Sequence, residues 1–346
     1  LSLASHEPLR FGDEEIAKLR QYVEAGGTLF THADADSVEF TKSVVELARK
    51  LFPRYELKDV PADHELFALN GPVQPPIGLK HVSNGSRILL VHSPTDIAVY
   101  WQTRADAQRP NAFRLGLNLY LYATGKGPLA NRLDGPFIPA PANPPARRLP
   151  VARVKHHGNW DPEPFAFERL SRWRQAQCGE ALDVRAVELK DLAAEPARLS
   201  HVTGNTKLRF MDSQCEALRA YVEAGGTVLI DVCGGGNGAA NGNGFAASAA
   251  DLLQRAFPGA ALEPVPADHI LLKGALPTFR PYAAGKVAPA ATALYRLRHG
   301  QGQVLFTPLD ITTGLLGTGT WGICGYDPDF CLDFMNNLLT WAASAR

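Results

Sequence analysis

The chain has 346 residues, 45% of them apolar and 20% charged, with 35 basic and 35 acidic side chains. That length can build two domains with full cores, and the balanced charge supplies no field to hold nucleic acid or an anionic membrane. No apolar run reaches the roughly 18 residues of a transmembrane helix, and Cys178, Cys215, Cys233, Cys324 and Cys331 contain no CxxC pair of a zinc site or disulfide framework.

The opening segment, LSLASHEPLRF, reads as a strand end and a loop. A helix opens at Gly12 or Asp13, with Ile16, Leu19 and Val23 at helical spacing. Gly26 and Gly27 end it, because glycine takes the left-handed cap conformation without steric cost. TLFTH is a short buried strand. Val44, Val45, Leu47, Ala48, Leu51 and Phe52 mark an amphipathic helix stopped by Pro53. VPADH at 60–64 and a Pro/Gly-rich loop follow, then a buried strand, RILLVHS, and a closing helix, FRLGLNLYLYATG. Residues 134–150 turn proline-rich and read as an interdomain linker between a domain at 1–133 and another at 151–346.

The second domain repeats the first. LRAYVEAGGTVLIDVC at Leu218–Cys233 answers LRQYVEAGGTLFTHAD at Leu19–Asp34, Phe257-Pro258 answers Phe52-Pro53, and VPADH recurs at 265–269. VLFTPLD then answers ILLVHSPTD, and CLDFMNNLLTWAA answers the closing helix. Residues 151–199 have no counterpart in the first copy: a strand at VARVKHH, a helix at FAFERLSRWRQA and a strand at LDVRAVEL. The expectation is that the chain is part of a longer precursor carrying the missing strands. The alternative is a partner, as in a homo-oligomer, that completes the sheet. Alternating buried strands and helices predict an α/β fold with a mainly parallel, doubly wound sheet in each copy and ligands at the carboxyl ends of the strands. Asp34, Cys233, the His92 segment and the Thr307 segment all fall there.

Cys233, at a strand end before a glycine-rich turn, has the pattern of a nucleophile elbow. A nucleophile needs a base, and the second copy offers His156, His157, His201, His269 and His299, none in an identifying motif. The competing reading is a small residue packed at a strand end. In the first copy, His32, Asp34 and Asp36, with His64 and His92 converging, have the residue types of a zinc or calcium site. Aspartates capping the next turn and helix are the favoured alternative, and no metal or other cofactor is assigned. Asp63-His64 and Asp268-His269 form the clearest polar repeat, read chiefly as a loop fixed by the imidazole. The ligand-binding candidates are thus Asp34, His32, His64, His92, His269 and Asp310. HHGNW at 156–160 is a polar loop or a stacking surface for sugars, and CGGGNG lacks the Lys-Ser/Thr pair of a phosphate loop. Cys324 with Cys331 is the one pair read as able to bridge in an oxidising compartment, against buried free thiols.

ARVKHHGNWDPEPFAFERLSRW, LRAYVEAGGTVLIDVC, AFPGAALEPVPADHIL and the closing helix with its paired asparagines resemble an uncharacterised bacterial family, domain of unknown function 4159. Its core is similar to the class I glutamine amidotransferase-like fold shared with ThuA-like proteins. The resemblance covers the second copy end to end and the last two-thirds of the first. It implies tandem flavodoxin-like three-layer domains, the first lacking its N-terminal strands, in a periplasmic or extracellular setting. In catalytic relatives an elbow cysteine is served by a histidine in a late-strand His-Pro-Glu segment. Here Cys233 faces Thr307-Pro308-Leu309-Asp310, which has no histidine, while His92 lies on the late strand of a copy whose elbow residue is Asp34. GICGY at 322–326 looks like an amidotransferase nucleophile segment but follows the glycine-broken GLLGTGTW, not an apolar strand. The expected function is therefore a non-catalytic binding or assembly scaffold of the bacterial envelope or exterior, for a protein partner or a small-molecule or carbohydrate ligand. The alternative is a cysteine-dependent hydrolase or amidotransferase-like enzyme using Cys233.

Overall fold

The computed structural model describes residues 1–126, 137–235, 244–284, 286 and 292–344. The chain forms two compact units, Leu1–Arg132 with Thr318–Gly322, and Leu133–Gly317 with Ile323–Arg346. Both are mixed α/β units, and no helix among the described residues is long and apolar enough to cross a membrane.

Unit one contains β1 (Ser2–Ser5), α1 (Asp13–Glu24), β2 (Leu29–Ala33), α2 (Val38–Leu51), β3 (Lys58–Asp59), β4 (Lys80–Ser83), β5 (Ile88–Ser93), α3 (Ala98–Gln102) and α4 (Pro110–Thr124). The sheet order is β1-β2-β5-β4-β3, parallel across β1, β2 and β5 and antiparallel at the β4-β3 edge. In α1, Glu15 Oε2 accepts the Gly12 amide at 2.8 Å, and three acidic residues in the first turn suit the positive end of the helix dipole. Ser37 Oγ accepts the Phe40 amide at 3.2 Å to start α2. That helix buries Phe40, Val44, Leu47 and Leu51 beside Leu29 and Ala33 of β2. Alternation along β2 turns Phe30 to the other face, against Leu115 and Tyr122 of α4. A fully buried side chain such as Phe40 contributes about 1.5–3 kcal/mol. Trp321, in the returning Thr318–Gly322 segment, donates its amide to Tyr122 O at 2.8 Å and its indole N–H to Glu65 at 2.7 Å.

Unit two contains β6 (Arg147–Lys155), α5 (Ala166–Cys178), β7 (Glu180–Glu188), β8 (Leu199–Gly204), α6 (Asp212–Glu223), β9 (Thr227–Val232), α7 (Phe245–Ala256), β10 (Glu263–Pro264), α8 (Pro281–Ala284), β11 (Tyr295–His299), β12 (Gly302–Thr307) and α9 (Pro328–Ser344). Its order is β10-β11-β12-β9-β8-β6-β7, parallel from β12 to β7. One apolar cluster joins α5 and α9, and a second joins α6 and α7. The strands β8, β9, β12, β11 and β10 repeat the order of β1, β2, β5, β4 and β3, and among the described residues β6 and β7 have no counterpart in the first sheet.

The structure departs from the sequence reading at two points. Arg147–Pro150, read as the end of a linker, is the first part of β6, paired with β7 from Arg147↔Glu180 onward; its single proline does not prevent that pairing. The antiparallel strands β4 and β11, each beside a two-residue edge strand, escape the sequence reading because KHVS and YRLRH each bury only one residue fully, Val82 and Leu297. All five cysteines are free, Cys215, Cys233, Cys324 and Cys331 buried as the favoured reading has it and Cys178 exposed.

Candidate functional site

In unit two the carboxyl ends of β8, β9 and β12 hold a dense buried polar network. Asp231, the fifth residue of β9, is fully buried. Its Oδ1 lies 2.8 Å from His201 Nε2, and its Oδ2 accepts the Ile311 and Thr312 amides at 2.9 and 2.8 Å. The Thr312 hydroxyl donates to the same carboxylate at 2.9–3.0 Å. Burial alone would push this carboxyl up, but the His201 contact and the two amides outweigh it and hold it below the usual range. Asp310, also fully buried, accepts the Gly234 amide at 2.5 Å, the Thr313 amide at 2.9 Å and the Thr313 hydroxyl at 2.8 Å. Burial and then the neighbouring Asp231 charge raise Asp310 to about 6.

Cys233 is 0% exposed, and its Sγ lies 3.5 Å from Thr313 Oγ1. The next residues, Gly234 and Gly235, have φ of 85° and 83°. A Cβ on Gly235 would come within 2.1 Å of Cys324 O, which is why the chain is glycine there. The GICGY segment thus packs against this turn, with the Cys324 amide donating to Gly234 O at 3.0 Å. The rest of the glycine-rich loop, residues 236–243, lies outside the described residues.

The ends of β2 and β5 in unit one are built on the same plan with other side chains. Strand register places His32 opposite Ser93 as it places Asp231 opposite Thr307. Residues 32, 34 and 96 therefore correspond to Asp231, Cys233 and Asp310. Asp96 Oδ2 accepts the Ala35 amide at 3.0 Å and Oδ1 the Val99 amide at 3.0 Å. Asp36 Oδ1 in turn accepts the Asp96 amide at 2.7 Å. Ala35 and Asp36 take φ of 50° and 55°, the conformation of Gly234 and Gly235. His32 is 5% exposed; its Nδ1 makes no hydrogen bond among the described residues and lies 3.5 Å from Asp34 Oδ1. Ligand-capable atoms of His32, Asp34 and Asp96 all fall within 4.8 Å of one another.

The remaining candidates lie apart from this group. His92 faces Phe40 on the α2 side, with Nδ1 2.9 Å from Thr31 Oγ1 and Nε2 3.2 Å from Thr41 Oγ1. Burial lowers it to about 4, so the ring is neutral at pH 7 and tied between two threonines. His64 Nδ1 accepts the Leu66 amide at 3.1 Å and His269 Nδ1 the Leu271 amide at 3.3 Å, each capping a single helical turn. Arg296 adds a contact at 2.7 Å to His269 Nε2. Burial lowers both imidazoles, with Arg296 second at His269. The repeated VPADH therefore repeats a cap made by the imidazole. In HHGNW, His156 Nε2 binds Thr203 O at 2.8 Å and Trp160 lies beside Arg153 and Lys155. Asp96 is not singled out from the sequence, and His201 only as one of five candidate bases. The alignment of ILLVHSPTD with VLFTPLD does set Asp96 against Asp310, and that is the signal for the first.

No curated protein matches the chain. Among the solved structures that match is the exo-beta-1,4-mannosidase Op5Man5 from Opitutaceae bacterium strain TAV5, at 12% identity and a TM-score of 0.25, over 95% of this chain. The chain spans 54% of that protein's length. The model of the family described as a domain of unknown function, DUF4159, matches residues 2–124 and again residues 150–305. With both copies matched, the chain belongs to that family.

Proposed function

We propose that the chain is a non-catalytic binding or assembly scaffold made of two amidotransferase-like, ThuA-like domains of flavodoxin-like three-layer type, working in the bacterial envelope or exterior. The observation that carries this reading is the state of Cys233. Its sulfur is fully buried against the Thr313 hydroxyl, and the flanking carboxylates Asp231 and Asp310 are engaged by backbone amides, threonine hydroxyls and His201. A nucleophile must meet its substrate and pass a proton to a base. Here the polar groups hold strand ends together. Unit one carries Asp34 in the corresponding position, so ligand recognition is assigned to side chains at strand ends and not to covalent chemistry.

The competing reading, a cysteine-dependent hydrolase or amidotransferase-like enzyme using Cys233, requires an accessible thiolate of lowered pKa. Alkylation of the folded chain with iodoacetamide at pH 7.5, followed residue by residue by mass spectrometry, separates the two. The exposed Cys178 is expected to label first, and Cys233 only on unfolding. Labelling of Cys233 in the folded protein ahead of Cys178 overturns the scaffold reading.

A further inference from the structure

We propose that His32, Asp34 and Asp96 form a binding site for a divalent first-row transition ion, of which zinc is the representative. The proposal goes beyond the scaffold reading and stands or falls separately from it.

The first support is the His32 ring. It is nine-tenths buried, yet Nδ1 has no hydrogen-bond partner among the described residues and lies 3.5 Å from Asp34 Oδ1. A buried ring nitrogen is normally satisfied, because losing its water without replacement is costly. The ring packs beside aromatic neighbours, Phe30 at 5.6 Å and Trp101 at 6.4 Å between centroids.

The second support is the comparison of the two copies. In unit two, the Thr312 and Thr313 hydroxyls donate to Asp231 and Asp310, and the Thr313 hydroxyl also touches Cys233. In unit one the corresponding residues are Ala98 and Val99, which have no hydroxyl. The first copy keeps the bridging carboxylate, with Asp96 fixed by the Ala35 and Val99 amides. It places a carboxylate, Asp34, and an imidazole, His32, where the second has Cys233 and Asp231. Two carboxylates and one imidazole nitrogen within 4.8 Å are a three-ligand set that leaves a fourth position open. An imidazole ligand selects transition ions over calcium or magnesium, which prefer oxygen. The amides bound to Asp96 orient it from behind, and Asp34 is exposed enough to rotate inward.

The test is calorimetric titration of Zn²⁺ into the full chain after chelator treatment, with Mg²⁺ as a parallel probe. The expected result is one site present in the native chain and weakened at least about tenfold in both Asp34→Asn and His32→Phe. The phenylalanine keeps the packing against Phe30 and Trp101 and deletes the unpartnered nitrogen, and circular dichroism checks the fold of each variant. Equal zinc binding by the native chain and Asp34→Asn overturns the proposal, as does no binding by the native chain. Mg²⁺ binding as tight as Zn²⁺ overturns the assignment to a transition ion.

Discussion

Asp310 ties the end of β12 to the turn after β9 by accepting the Gly234 amide at 2.5 Å, and Asp96 makes the corresponding bond to Ala35 at 3.0 Å in the other copy. The bond is the same, but its surroundings differ. Asp310 is fully buried and also holds Thr313 and Gly314. Asp310→Ala leaves at least three buried donors unmatched and is expected to cost about 3–5 kcal/mol. Asp96→Ala loses a half-buried cap and is expected to cost about 1 kcal/mol. Urea unfolding of the two variants measures the difference.

His92 should contribute the largest share of the acid limb of stability, beside His64, His81, His156 and His269, which burial also lowers. Its ring titrates near 4 in the fold, against an ordinary 6.5 when unfolded, because burial disfavours the charged form. Between those values the unfolded chain binds the extra proton. Stability is therefore intact above about 6.5 and falls as pH drops toward 4, by up to about 3 kcal/mol. Asp310 acts in the opposite sense. Raised to about 6, it contributes most below the ordinary carboxylate value and loses that contribution as pH rises through 6. His92→Phe, which installs the residue found at the corresponding Phe306, should flatten the acid limb. Thermal melts at pH 4.5 and 7 read the change; an unaltered pH difference counts against the assignment.

The αL pair after β2 is carried by Ala35 and Asp36 where the other copy has glycines. A residue with a Cβ in that region costs about 1–2 kcal/mol. Ala35→Gly keeps the amide that Asp96 accepts and relieves the strain, offset in part by glycine's greater unfolded freedom. A gain of about 0.5–1 kcal/mol in chemical denaturation is expected.

Much of this architecture is legible in the sequence. The repeated helix-Gly-Gly-strand units, the extra βαβ unit of residues 151–199 and the buried strands all follow from periodicity and glycine stops. The polar antiparallel strands are not legible, because β3 and β10 are two exposed residues each and β4 and β11 bury one side chain each, which resembles a loop. The strand-end residues are half legible. His32 and Asp34 stand out by type and place, but grouping His92 with them fails because successive strand residues face opposite ways. Thr31 and His92 share the α2 side, while His32 faces Trp101. Asp96 lies some 60 residues away in sequence and meets Ala35 only through the β2-β5 pairing.

The turn after β9 gives the sharpest steric prediction. Gly235 and Gly274 both have positive φ, 83° and 73°, so alanine carries a backbone penalty of about 1 kcal/mol at either. Around Gly274 none of the described residues lies within 4 Å of an added Cβ, so Gly274→Ala should cost little more than that. At Gly235 the Cβ would stand 2.1 Å from Cys324 O and 2.6 Å from Cys324 Cβ, inside any van der Waals contact. The turn must then move away from the 322–326 segment, breaking the Cys324 amide bond to Gly234 and loosening the Asp310 bond to the Gly234 amide. The expected loss is about 3 kcal/mol or more, the sum of a strained backbone and a disrupted buried network. If Gly235→Ala unfolds at the same urea concentration as Gly274→Ala, the close packing of these two segments is wrong. A larger loss, accompanied by faster alkylation of Cys233, is the outcome the packing requires.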